Sequence, residues 1–137
     1  MSDTTGVPIG GPVRPGSWVI AARSEKVASE WREFMNQAAG ECNRVYDQLE
    51  TNPAYDDGDR QHPLEGEAGR ATFQGKSYQR WQIDITSGGR LWYLMDPTTF
   101  GSGQKRRAGV VILDKVHFGH RKSTERKLAG GRRPGRG

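Results

Sequence analysis

The apolar residues of this chain keep two different periods, and the change between them limits what the chain can fold into. Val27, Trp31, Phe34, Met35 and Ala38 recur at helical spacing, and Cys42, Val45, Tyr46 and Leu49 do the same. Two helices, or one bent at Ala38 to Gly40, therefore cover Glu25 to about Thr51. Ser24 is suited to cap the first, because its hydroxyl can accept from an unpaired N–H of the opening turn. Asn52-Pro53 stops the second, because proline cannot continue the hydrogen-bond ladder. Ahead of the helices, "SWVIAA" (17–22) is a short β-prone run. Beyond an acidic, turn-rich loop, "AYDDGDRQHP" (54–63), the period changes toward two. Strands are expected at "RATF" (70–73), "SYQRWQIDI" (77–85), "RLWYLMD" (90–96) and "GVVILDKVHF" (109–118). Gln74-Gly75-Lys76 and Ser87-Gly88-Gly89 are short and glycine-bearing enough to be hairpin turns, and "PTTFGSGQKRRA" (97–108) is a longer connection. The order β-α-α-β-β-β-β separates the helices from the sheet. The expected class is α+β, with two N-terminal helices packed on a small, twisted, mainly antiparallel sheet.

A length of 137 residues fits one domain. Only 33% of the residues are hydrophobic and the mean hydropathy is -0.84, so part of the length is expected to lie outside the core. The flanks are that part. Residues 1–16, rich in Gly and Pro without an apolar period, read as a flexible leader; 17–125 is the folded domain; 126–137, "RKLAGGRRPGRG", is a basic tail. No stretch approaches the roughly 20 apolar residues of a membrane span, and no secretory signal is apparent, so a soluble cytoplasmic protein is expected. The single cysteine, Cys42, allows no internal disulfide and lies in an apolar helical stripe, where a core role is expected.

Charge is distributed unevenly. From Lys105 onward there are eleven Lys/Arg against two acids, a net of +9, while the preceding residues carry ten basic and fourteen acidic groups, a net of −4. A basic C-terminal third suggests a polyanionic partner such as nucleic acid. Alternation puts Tyr78, Arg80, Gln82 and Asp84 on one face of their strand, with Gln79, Trp81, Ile83 and Ile85 on the other. Arg90 shares a face with Trp92 and Leu94. In the last strand, Val111, Leu113, Lys115 and His117 alternate with Val110, Ile112, Asp114, Val116 and Phe118. Gly119 then breaks the strand before His120-Arg121-Lys122. A face bearing Arg80 and Gln82, met at its edge by Arg90 and that basic triplet, would gather guanidinium forks suited to phosphate beside an imidazole that titrates near neutral pH. The alternative stays open that Arg80 and Arg90 are solvated strand residues and His120 a surface turn residue. Three separated histidines without a paired acid motif do not form a metal site, and no cofactor is called for.

Taken as a series, "EWREFMNQAAGECNRVYDQLETNP" (30–53), "LEG" (64–66), "YQRWQID" (78–84), "SGGRLWYLMD" (87–96) and "VVILDKVHFGHRKSTE" (110–125) resemble the RelE/ParE superfamily of bacterial toxin–antitoxin toxins. The resemblance covers roughly residues 17–125 in the right order. It implies a β-α-α-β-β-β fold and a metal-independent, ribosome-dependent endoribonuclease that cuts mRNA in the A site and is neutralised by a cognate antitoxin. Carried over by position, Arg90, His120 and Arg121 become catalytic candidates, with Arg80, Gln82, Lys122 and Lys127 as RNA-binding ones. Arg90 and Arg121 would stabilise the phosphorane, and His120 would move a proton. Where Gly-Lys-Arg-type toxins have a tyrosine, this chain has Lys127. The antitoxin is expected over the exposed side of the helices bearing Trp31 and Tyr46. Two rivals remain: a gyrase-poisoning toxin of the same fold, and a non-catalytic RNA- or ribosome-binding module that uses the tail arginines Arg132, Arg133 and Arg136.

Overall fold

In the computed structural model, which describes residues 6–9, 16–98 and 107–119, Ser24 caps the first helix as its position suggests. Its hydroxyl accepts from the Val27 N–H, and α1 runs Glu25–Gln37. The chain bends at Ala38, which ends α1 by donating to the Phe34 carbonyl and opens α2, Ala39–Thr51. Asn52 caps α2 just before Pro53. Six of the stripe residues named above, Val27, Trp31, Phe34, Cys42, Val45 and Leu49, are buried in one cluster. Trp31 is 2% exposed and Tyr46 half-buried, so these two rings belong mainly to the core. Burial first, and then Glu41, raise the Cys42 thiol to about 11, which keeps it protonated and inert.

The helices cover one face of a six-stranded mixed sheet, so the class is α+β. Its strands are β1 (Val7–Pro8), β2 (Trp18–Ala22), β3 (Gln61–Pro63), β6 (Trp81–Asp84), β7 (Arg90–Asp96) and β8 (Gly109–His117), in the order β1-β2-β8-β7-β6-β3. The β2 strand lies parallel to β8, and the other neighbours are antiparallel. A separate hairpin pairs β4 (Arg70–Phe73) with β5 (Lys76–Gln79). Its turn places Gln74 at φ 51 and Gly75 at φ 80, the left-handed pair that a tight two-residue hairpin requires.

Three elements differ from the sequence reading. The run 77–85 is not one strand: it divides at Arg80, with β5 in the hairpin and β6 in the main sheet. The stretch 54–63, read wholly as a loop, ends in the edge strand β3. Gln61 is held there by buried side-chain bonds: its Nε2 donates to the Pro53 carbonyl at 3.2 Å and to the Tyr93 hydroxyl at 3.0 Å. Within 1–16, read as a flexible leader, Val7 and Pro8 pair with Ala22 and Ala21. A proline is tolerated at such an edge because its outer side needs no N–H. Among the described residues, no helix is long and apolar enough to cross a membrane.

Candidate functional site

The sheet face opposite the helices has two halves. The β4–β5 hairpin folds over one, where Ala71, Phe73 and Tyr78 pack on Ala21, Leu94, Val110 and Ile112. The other half has no such cover among the described residues and carries polar side chains. Its strand register forms two rows: His62, Gln82, Trp92 and Lys115 in one, and Asp84, Arg90 and His117 in the next.

A β-bulge creates this second half. Trp92 pairs with Lys115 and Tyr93 with Leu113, so Asp114 is the extra residue on β8. Up to Leu113, odd-numbered residues of the strand enter the helix-side core. After the bulge it is Val116 and Phe118 that pack there, while Lys115 and His117 turn to the open face. The Lys115 ammonium lies 5.9 Å from the Trp92 ring centre, and the His117 ring meets Trp92 edge-on at 4.4 Å. Strict alternation through 109–118 missed this exchange. Its signal was present in the sequence: an aspartate inside an otherwise apolar run has to leave the regular pleat or find cations.

Asp114 finds two. Its side chain is 1% exposed and pairs with Arg80 Nε at 2.8 Å and with Arg23. Arg23 also donates to the Thr72 carbonyl of β4 at 2.9 Å and lies over the Phe73 ring, while Arg80 donates to the Ala68 carbonyl at 3.1 Å. One buried carboxylate thus fastens the hairpin to the sheet. The Arg80 guanidinium lies 4.8 Å from the Trp92 ring centre, and the indole N–H donates to Gln82 Oε1 at 2.9 Å. Arg80 and Gln82 share the open face, as alternation predicts, and both have structural partners there.

Arg90 is exposed at the start of β7, paired in register with Asp84 on one side and His117 on the other. The His117 ring is half-buried; its Nε2 is enclosed and has no hydrogen-bond partner among the described residues. Burial depresses the basicity of this imidazole, with Arg90, Lys115 and Arg80 acting in the same direction and Glu30 against them. Such a ring is neutral at pH 7.

The strand then ends against the β6–β7 turn. Gly119 has φ +93, and a Cβ there would stand 2.8 Å from the Gly88 carbonyl carbon and oxygen. A Cβ on Gly89 would stand 2.3 Å from Phe34 Cζ, and Phe34 stacks on Phe118 at 5.2 Å. Glycine at these two positions lets the end of β8 pass close beside the turn that begins β7. His120, Arg121, Lys122 and Lys127 follow in sequence and lie outside the described residues, as does the tail. Among the described residues no group of three His, Cys, Asp or Glu side chains is placed to hold a metal ion.

The chain matches no protein-family model, no curated protein and no solved structure.

Proposed function

We propose that this protein is a RelE-like toxin: a metal-independent endoribonuclease that cuts mRNA on the ribosome and is held inactive by a cognate antitoxin. The observation that carries the reading is the open half of the sheet, where Trp92 is bracketed by Arg80, Lys115 and His117 and Arg90 stands in the next row. Cations interleaved with an aromatic ring suit a flexible phosphate backbone with exposed bases. The element order is compatible with the reading: β2, α1 and α2 followed by antiparallel strands contain the β-α-α-β-β-β series that the sequence resemblance implies, with β1, β3 and the β4–β5 hairpin in addition to it.

RNA is cleaved when its 2′-oxygen attacks the adjacent phosphorus, so the phosphorane charge must be neutralised and the 5′-oxygen protonated as it leaves. In this reading Arg90 and Arg121 neutralise the charge and His120 transfers a proton. Lys115 joins Lys122 and Lys127 in holding the backbone. Arg80, held by Asp114, fixes Trp92 and adds positive field.

The test adds the purified protein to a translating extract and maps mRNA ends by primer extension, with Arg90→Ala and His120→Ala in parallel. Breaks at ribosome-occupied codons, reduced by about 10²-fold or more in either variant, are the expected result. Intact mRNA together with gyrase-dependent DNA breaks would assign the chain to the gyrase-poisoning branch. Ribosome binding without any cut would make it a non-catalytic module.

A further inference from the structure

Trp92 is the centre of a cluster in which one imidazole stands among cations. The His117 ring meets the indole edge-on at 4.4 Å, and the Arg80 guanidinium and Lys115 ammonium lie 4.8 and 5.9 Å from the indole ring centre. Arg90 is paired with His117 across the β7–β8 register. The cleavage chemistry above makes no use of His117. Resting on the reading of the open half as an RNA face, we infer that an RNA backbone seated there draws a proton onto His117, so that the grip on single-stranded RNA tightens as pH falls.

Two features of the free protein hold this imidazole neutral. It is half-buried, and its Nε2 is enclosed without a partner among the described residues, so a charged ring would give up hydration there without a hydrogen bond in return. The surrounding charge is also unfavourable. Arg90 from β7, Lys115 from β8 and Arg80 from the β5–β6 junction oppose protonation, and Glu30 from α1 favours it. Asp84 of β6 stands beyond Arg90 in the same row.

Of the three cations, Arg80 already has a carboxylate, that of Asp114 at 2.8 Å. Arg90 and Lys115 have none within ion-pair reach among the described residues. Each phosphodiester brings one negative charge, and one seated against Arg90 and Lys115 cancels the field of the two cations nearest His117 in the register. The imidazolium then adds attraction to the phosphate where it had met only repulsion from its neighbours.

Linkage fixes the sign. A ligand that raises the proton affinity of a group is bound more tightly by the protonated protein, by the same factor. The proton comes from the solvent, and no covalent bond changes. Tightening begins as pH falls through the titration of the bound state and levels off once His117 of the free protein is charged as well. Each unit by which RNA raises that titration is worth about tenfold in affinity.

The experiment uses the full chain and a single-stranded 2′-O-methyl RNA of about eight nucleotides, whose blocked 2′-oxygen allows binding without cleavage. Fluorescence anisotropy at constant ionic strength gives Kd from about pH 7.5 to about pH 5.5, with circular dichroism confirming the fold at each pH. For wild type, Kd is expected to fall by about fivefold or more across that range, and calorimetry in two buffers of different ionisation enthalpy should show proton uptake on binding. His117→Gln should lose both the slope and the uptake. His117→Asn replaces it should the Gln variant not fold. His62 lies in the neighbouring row with its Nδ1 3.0 Å from the Pro63 carbonyl, and His62→Gln should keep the wild-type slope. If wild type binds with no dependence on pH, or if His117→Gln keeps the full slope, the inference is overturned while the RNA face stands. Wild-type protein that binds the RNA at no pH overturns both.

Discussion

The two halves of the sheet face opposite the helices are built on the same strands, β7 and β8, yet they have opposite character. In one half, Leu94 and Ile112 lie under Phe73 of the hairpin and are fully buried. In the other, Trp92, Lys115 and His117 are left partly or fully open to solvent. The boundary between them is Asp114. Its bulge changes which side chains of β8 point to this face, and its two ion pairs fasten the hairpin that covers the apolar half. A single irregularity therefore both stabilises one half and exposes the other. A binding face on a small sheet needs a device to end its core, and a buried charge at a bulge is one such device.

Breaking that boundary should have the largest effect. Asp114→Ala leaves Arg23 and Arg80 without their counter-charge, and urea unfolding is expected to show a loss of about 3–5 kcal/mol, the range for removing one member of a buried ion pair. A loss under about 1 kcal/mol would mean that the hairpin is held by its apolar packing alone. Inside the covered half, Leu94→Ala removes a fully buried side chain and should cost about 3 kcal/mol in the same measurement.

The open half should respond to pH more than to truncation. Because burial and three cations lower the His117 pKa below 6.5, the unfolded chain takes up this proton first as pH falls. The stability that the neutral ring contributes is present above 6.5 and is lost progressively below it. Melting temperatures from about pH 7.5 to about pH 5 should show a component of this sign that is absent from His117→Gln. A variant with the same pH dependence as wild type would place the effect on other groups.

Lys115→Gln should be the mildest change to the fold, within about 0.5 kcal/mol of wild type because the side chain is exposed. Its effect should fall on the function of the open half instead. Measured by fluorescence anisotropy with single-stranded RNA across a salt series, the log–log slope should drop by about 0.7, the decrement for one phosphate no longer neutralised. An unchanged slope would remove Lys115 from the binding face.

How far the site was legible depends on the residue. Arg80 and Gln82 could be placed on a common face because alternation holds through β6, whereas Arg90 was placed only at its edge and the pairing of β6 with β7 puts it on that face. Even the break between β5 and β6 preserves the alternation: Trp81, Ile83 and Ile85 enter the helix-side core as their spacing requires. Trp92 was placed beside Arg90 without a role, and its bracket of Arg80, Lys115 and His117 could not be inferred from either strand separately. The helices were legible in more detail, down to the Ser24 cap and the stop before Pro53, because caps and stripes act between residues a few positions apart.

Amino-acid order was sufficient for the elements whose causes are local: a helical region opened by Ser24, interrupted between Ala38 and Gly40 and stopped at Asn52-Pro53, a glycine-bearing hairpin turn within residues 74–76, and the facing of β6. Which strands became neighbours was settled only by packing in three dimensions. It set β2 parallel to β8, gave β3 and β1 their edges, moved β5 into a second sheet and opened the bulge at Asp114. The two sets differ in the range of their interactions. A helix cap is satisfied within one turn, whereas the Asp114 partners Arg80 and Arg23 are 34 and 91 residues away in the chain.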